Sequence, residues 1–133
     1  MLVDLFDGVS PGSSREDIAD GAVLLRGFCR PEAERLIAKI ADIAAVAPFR
    51  QMVTPGGFTM SVAMTNCGRA GWVTDRRGYR YDERDPETGL PWPAMPPEFT
   101  DLADRAATEA GFGGFRPDSC LINRYTPGTR LTL

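Results

Sequence analysis

The chain has 133 residues, 43% hydrophobic and 25% charged, with a net charge of −3. Its length suits one domain or a piece of one, and its balance is that of an ordinary soluble protein. No stretch approaches the roughly 20 apolar residues that span a membrane, the net charge argues against bulk attraction to nucleic acid, and the absence of histidine limits its acid–base and metal chemistry.

Residues 1–20 are polar and punctuated by Pro11-Gly12 and Ser13-Ser14, and they read as a loosely held lead-in with no basic region or apolar run of a secretory signal. Gly21 to Gly27 (GAVLLRG) predicts a short buried strand. Pro31 fits the first turn of a helix. From Glu32 to Ala47 the apolar residues Leu36, Ile40, Ile43 and Ala47 recur at helical spacing. Pro48 ends that helix, because the residue before proline is pushed out of the α region.

Pro55-Gly56-Gly57 is a strong turn signal. After it Phe58, Met60 and Val62 alternate with Thr59, Ser61 and Ala63, as in a strand. Breaks at Gly68, Gly71 and Gly78 predict small strands joined by glycine turns up to Tyr81, a common home for binding loops. Tyr81 to Pro97 is acidic and proline-rich and reads as a loop ordered by contact, or a linker. Its Asp82, Glu83, Asp85 and Glu87 do not match a calcium-loop pattern and read as a solvated acidic loop. Pro97 to Ala110 predicts a second helix, with Gly111 as its C-terminal cap. Leu121 to Leu133 (LINRYTPGTRLTL) predicts a strand, a Pro127-Gly128 turn and a second strand that begins at Leu131. On the first strand Leu121, Asn123 and Tyr125 share a face.

Cys29, Cys67 and Cys120 are odd in number, far apart and without C-x-x-C spacing. They read as reduced thiols of a cytoplasmic protein, with neither a disulfide framework nor a zinc site. Fourteen of the fifteen basic residues are arginine, and Arg69, Arg76, Arg77 and Arg80 form a basic stretch. Arginine suits bidentate phosphate or carboxylate contacts, although a codon bias toward arginine accounts for the same excess.

Five segments carry a resemblance. Phe49–Gly57 (FRQMVTPGG) runs into Thr59–Gly68 (TMSVAMTNCG); then come Gly71-Trp72 with Gly78-Tyr79, Pro91–Pro96 (PWPAMP) and Leu121–Gly128 (LINRYTPG). In this order and spacing they resemble the AlkB family of Fe(II)- and 2-oxoglutarate-dependent dioxygenases, which repair alkylated bases in DNA and RNA. The resemblance spans residues 21–133. It implies an α+β fold class: an N-terminal helix and nucleotide-recognition lid over residues 21–90, then from 91 to 133 the opening strands of a double-stranded β-helix (jelly-roll-like) core.

The resemblance also implies roles. Asn123 and Tyr125 would bind 2-oxoglutarate, as amide and phenol donors to its oxygens, between the apolar walls Leu121 and Leu131. Trp72 would stack on an extruded base, replacing the stacking lost on flipping. Tyr79, Arg80 and Tyr81 would contact the substrate strand, with Tyr79 at a phosphate. Met60 and Met64 would form a compliant wall for alkyl lesions, and Arg130 would face the substrate. Read without the resemblance, Trp72 is a half-buried packing residue and Asn123 and Tyr125 serve local backbone groups.

The family's iron is held by two histidines and a carboxylate. Its H-x-D pair follows a strand ending L-x-L, here Leu131-Thr132-Leu133, so the ligands are expected beyond Leu133. The expectation is therefore the N-terminal part of an oxidative demethylase acting on bases such as N1-methyladenine and N3-methylcytosine with Fe(II), O₂ and 2-oxoglutarate. It would be a monomer that prefers single-stranded DNA or RNA, inactive as this chain alone and without stable cofactor binding. The alternatives are a non-catalytic single-strand-binding module and a truncated fragment without independent function.

Overall fold

The computed structural model describes residues 14–131. Most of the expected lead-in, and the Leu131-Thr132-Leu133 strand beyond its first residue, lie outside these. Two compact units share the chain: Met1–Ile37 with Pro97–Arg116, and Ala38–Pro96 with Pro117–Leu133.

In the first unit β1 (Ser14–Ala19) pairs antiparallel with β2 (Ala22–Arg26) around Gly21, whose φ of 75° suits glycine. Here the expectation of a loose segment through residue 20 is corrected. β1 has no apolar alternation to betray it: five of its six residues are exposed, and it is held by its ladder and by Arg26 pairing with Glu16 at 2.6 Å. β2 is likewise not buried, since Leu24 and Arg26 face solvent. A 3₁₀ turn over Arg30–Glu32, with Pro31 in its first turn, leads into α1 (Ala33–Val46). The helix α2 (Pro97–Glu109) ends as its sequence predicts. Gly111 takes a φ of 94°, its N–H bonds the Thr108 carbonyl, and the Phe112 N–H reaches back to Ala107 at 2.7 Å, a Schellman closure. Arg105 ties this unit together, bonding Asp101 at 2.9 Å and Glu32 while lying over the Phe28 ring.

The boundary between the units passes through α1. In the second unit the end of α1 buries Ile43, and Ala47 just past the helix is buried too, two members of the predicted stripe. Pro55-Gly56-Gly57 turns the chain as expected. Thr54 and Phe58 close the loop (N···O 2.8 Å), and Met60 bonds Met52 beyond it. The pairing there is limited to isolated bridges, and the continuous strand starts only at Ala63. β3 (Ala63–Gly68) pairs antiparallel with β6 (Ser119–Arg124), and β4 (Gly71–Asp75) pairs with β5 (Gly78–Asp82). The core is Ala47, Met52, Val62, Met64, Val73 and Trp92. Fully burying a side chain of the size of valine or methionine stabilises by about 1.5–3 kcal/mol.

Trp92 fixes the proline-rich loop. Its indole N–H donates to the Asp82 carbonyl at 2.8 Å, and its ring packs so closely on Gly71 that a Cβ there would sit 2.4 Å from it. Arg50 lies over the same ring and makes two bonds to Asp85, at 2.7 and 2.6 Å. Asp85 is 1% exposed, which corrects the solvated-loop reading. Burial raises its pKa. The Arg50 hydrogen bonds, the Glu87 N–H and the Arg50 charge outweigh that, and the carboxyl stays below its ordinary range. Thr126 to Thr129 form the expected turn, with Pro127 and Gly128 central and Gly128 at φ 88°.

The α+β class stands: two α-helices and three two-stranded antiparallel sheets among the described residues. No described helix is long and apolar enough to cross a membrane.

Candidate functional site

β4 and β5 have two unlike faces, because their side chains alternate. Trp72 lies opposite Tyr81 and Thr74 opposite Tyr79 on one face; Gly71 lies opposite Asp82 and Val73 opposite Arg80 on the other. On the first face Trp72 and Tyr79 stack, with ring centroids 5.7 Å apart and planes inclined by 26°. Trp72 is half-buried and packs on the core, whereas Tyr79 and Tyr81 are 62% and 69% exposed.

These rings border a cleft of about 510 Å³ lined by Met60, Met64, Trp72, Tyr79, Tyr81, Ser119, Leu121 and Leu131. Trp72, Tyr79, Tyr81, Met60, Met64, Leu121 and Leu131 were each expected at a site from the sequence, and one cleft gathers all seven. Its wall is mainly apolar and aromatic, and methionine adapts to varied shapes. It can take a flat heterocycle with an alkyl substituent.

A residue that sequence reasoning missed holds the platform. The fully buried Asn66 amide accepts from the Trp72 N–H and donates to the Trp72 carbonyl, both at 3.0 Å. The bonds leave no amide group of Trp72 unpaired and fix its backbone. The only sequence signal was an asparagine beside Thr65 in a strand with no charged residue.

Asn123 and Tyr125 share the face of Leu121. Asn123 lies directly across β3 from Met64, and its buried Oδ1 has no hydrogen-bond partner. An unpaired buried amide oxygen is costly, and among the described residues only Thr74 Oγ1 shares this condition. Tyr125, one step beyond β6, is 55% exposed. Neither borders the aromatic cleft.

Arg80 and Arg130 are not brought to the cleft. Arg80 points to the opposite face of β5 and grips Asp75 at 3.0 and 2.9 Å, with Asp82 at 3.6 Å. The Arg80 and Arg77 hydrogen bonds hold the Asp75 carboxyl well below the usual carboxylate range. Arg130 is anchored by its backbone, which exchanges two bonds with the Ser61 hydroxyl at 2.9 and 3.0 Å. Beyond Asp75, the hairpin tip presents Arg76 and Arg77, both exposed.

A model of the 2OG-Fe(II) oxygenase superfamily matches residues 21–133. The chain belongs to that superfamily. It is 58% identical over 132 residues to the alpha-ketoglutarate-dependent dioxygenase AlkB of Escherichia coli and 54% identical to that of Salmonella typhimurium, in each case over 99% of this chain and 60% of the relative. An AlkB homolog of Caulobacter vibrioides is 48% identical over 98 residues, covering 74% of this chain and 43% of the relative. The chain thus spans about 60% of the length of the first two relatives.

For the superfamily's two groups the residues give different answers. Asn123, with its orphaned amide oxygen beside Leu121, fits one end of a small polar ligand such as 2-oxoglutarate. Iron does not fit here. Among the described residues no three His, Cys, Asp or Glu side chains converge, and the chain has no histidine.

Proposed function

We propose that this chain is the nucleotide-recognition part and the cosubstrate-binding edge of an oxidative demethylase that acts on N-alkylated bases in DNA or RNA. The observation that carries the reading is the aromatic cleft: Trp72 stacked on Tyr79, flanked by Tyr81 and walled by Met60, Met64 and Leu121. A base must leave the duplex before its ring substituents can be oxidised. The cleft offers the flipped base an aromatic face, worth about 1–3 kcal/mol per base, and gives its alkyl group an apolar wall. The exposed Arg76 and Arg77 at the hairpin tip would supply charge for the phosphates, and the exposed Tyr79 would add a hydroxyl donor.

Asn123 and Tyr125 would hold 2-oxoglutarate, with Leu121 and Leu131 beside it. When bound in the whole protein with iron and O₂, 2-oxoglutarate supports hydroxylation of the N-alkyl carbon, which leaves as an aldehyde with succinate and CO₂ as co-products. Metal ligands would come from chain that continues past Leu133, where the remaining strands would complete a double-stranded β-helix. Leu131 then serves as the start of a core strand. We take the protein to be a cytoplasmic monomer with a preference for single strands, in which the base is already unpaired.

The reading is tested with the 133-residue chain and a fluorescent single-stranded oligonucleotide containing N1-methyladenine. Anisotropy should rise on binding, more steeply at low salt, and formaldehyde should stay at the level of a metal-free control. No binding at low salt would remove the cleft as a nucleotide site. Formaldehyde release above the control would show that this chain needs no further ligands. A non-catalytic single-strand binder shares the same cleft. The two readings separate when the coding frame is followed past residue 133: a continuing His-x-Asp supports the enzyme, and its absence leaves the binder.

A further inference from the structure

The face of β3 and β6 turned away from the cleft carries two thiols that the sequence keeps 53 residues apart, counting from Cys67 to Cys120, and the sheet places directly opposite each other. We propose that Cys67 and Cys120 are a reversible dithiol–disulfide site, oxidised by peroxide with Cys120 as the attacking thiol and Cys67 as the resolving one. The proposal does not depend on the function assigned to the cleft.

Register makes the pair. Met64 exchanges its two backbone bonds with Arg50, at 3.0 and 2.8 Å, so its peptide groups turn away from β6. By alternation those of Thr65 and Cys67 turn toward β6. Cys67 and Cys120 therefore form a hydrogen-bonded antiparallel pair, with Cα atoms about 5.5 Å apart. That separation lies inside the disulfide window of about 4.4–6.8 Å. Opposed Cβ atoms stand about 4.5–5.5 Å apart in a sheet, against about 3.8 Å in a disulfide. Closing the bond must draw the strands together slightly, and a strained disulfide is readily reduced again.

The two thiols differ as the roles require. Cys67 is fully buried and Cys120 only partly. The Cys67 hydrogen bond draws the Cys120 pKa down to about 7. Cys67 is pushed up, first by that same bond to Cys120 and then by burial. Of the two sulfurs, the more accessible Cys120 is thus the more readily ionised. In the first step the Cys120 thiolate attacks a peroxide oxygen and breaks the O–O bond, giving a sulfenic acid and water from hydrogen peroxide. In the second the Cys67 sulfur attacks the sulfenic sulfur, forming the S–S bond and releasing water. Two thiols lose two electrons and two protons, and the peroxide is reduced to two waters.

The test is hydrogen peroxide treatment of the full chain, followed by intact mass and non-reducing peptide mapping. The expected product is a monomer lighter by two hydrogens, with the Cys67 and Cys120 peptides linked, restored by dithiothreitol. It should persist in Cys29→Ser and vanish in Cys120→Ser, a change at a partly exposed position. Peroxide that instead adds oxygen atoms to Cys120 while Cys67 stays a thiol, or that yields only dimers linked through Cys29, overturns the proposal. A reading on the unmutated protein guards against a misfolded variant. Brief alkylation should label Cys120 ahead of Cys67 with a midpoint near pH 7, and equal labelling of both would overturn the assigned order of attack.

Discussion

The two faces of the β4–β5 hairpin are built to opposite rules. The face of Gly71 and Val73 is the more closed one: the Trp92 ring fills the space above Gly71, and the Arg80 guanidinium pairs with Asp75 and Asp82. Behind Trp92 the Arg50–Asp85 pair completes the seal. On the face of Trp72, Tyr79 and Tyr81 large rings are left open. Leaving aromatic area in water forgoes the burial that stabilises a fold, and the proposed nucleotide site would recover that burial on binding. The closed face supplies the rigidity that holds the rings in place.

The largest effect expected is on the closed face. Asp85→Ala leaves the Arg50 guanidinium buried beside Trp92 without its bidentate partner. Breaking a buried pair costs about 3–5 kcal/mol. Glu87, 3.7 Å from Arg50, can take up part of the charge, so about 3 kcal/mol is expected. Urea unfolding reads it, and a change under 1 kcal/mol would show that the two faces do not differ as argued.

On the open face Trp72→Ala should weaken binding of single-stranded oligonucleotide by about 1–3 kcal/mol, with a loss of stability as well from the part of the ring that packs on the core. Trp72→Phe should recover part of the affinity. A loss of stability with oligonucleotide affinity unchanged would make Trp72 a core residue only and dissolve the contrast. Asn66→Ala joins the faces. It strips the Trp72 N–H and carbonyl of their partner inside the protein and should cost about 1–3 kcal/mol of stability, with oligonucleotide affinity falling as well.

How far these faces could be read in advance follows from how local each signal is. Helix α1 and α2, the Pro55-Gly56-Gly57 turn and the Thr126–Thr129 turn rest on neighbouring residues, and their periodicity and glycines announce them. The cleft residues were found through the family resemblance, which bundles distant segments into one pattern. The Arg50–Asp85 pair was not legible, since 35 residues separate its members and the acidic loop looks solvated by composition. The same holds for Cys67 opposite Cys120, which only the β3–β6 register reveals. β1 was missed because a strand exposed on nearly all its residues has no apolar alternation to show.

Acid should act mainly on the closed face. Asp85 and Asp75 both titrate below the ordinary carboxylate value in the folded protein. The unfolded chain then binds more protons than the folded one as the pH falls, so the contribution is intact above the unfolded value of about 3.9 and fades below it. Urea midpoints measured from pH 6 down to pH 2 should hold steady and then drop below about pH 4. Asp85→Asn should start lower and show a shallower drop, and an unchanged drop would place the acid sensitivity in other carboxylates.

The smallest effect tests the contrast most directly. Arg80 sits in the same strand as Tyr79 and Tyr81 and was expected beside them at the substrate, but its side chain is committed to Asp75 and Asp82 on the other face. Exposed ion pairs contribute little to stability, so Arg80→Ala should barely move the thermal midpoint. The two faces now make opposite claims about binding. If Arg80 serves only the closed face, Arg80→Ala leaves oligonucleotide affinity and its salt dependence unchanged, whereas Arg76→Ala or Arg77→Ala at the hairpin tip lowers both. If Arg80 reaches a phosphate when the strand binds, its loss reduces the salt slope by about one counterion, and the closed face would then have to open its Asp75 pair on binding.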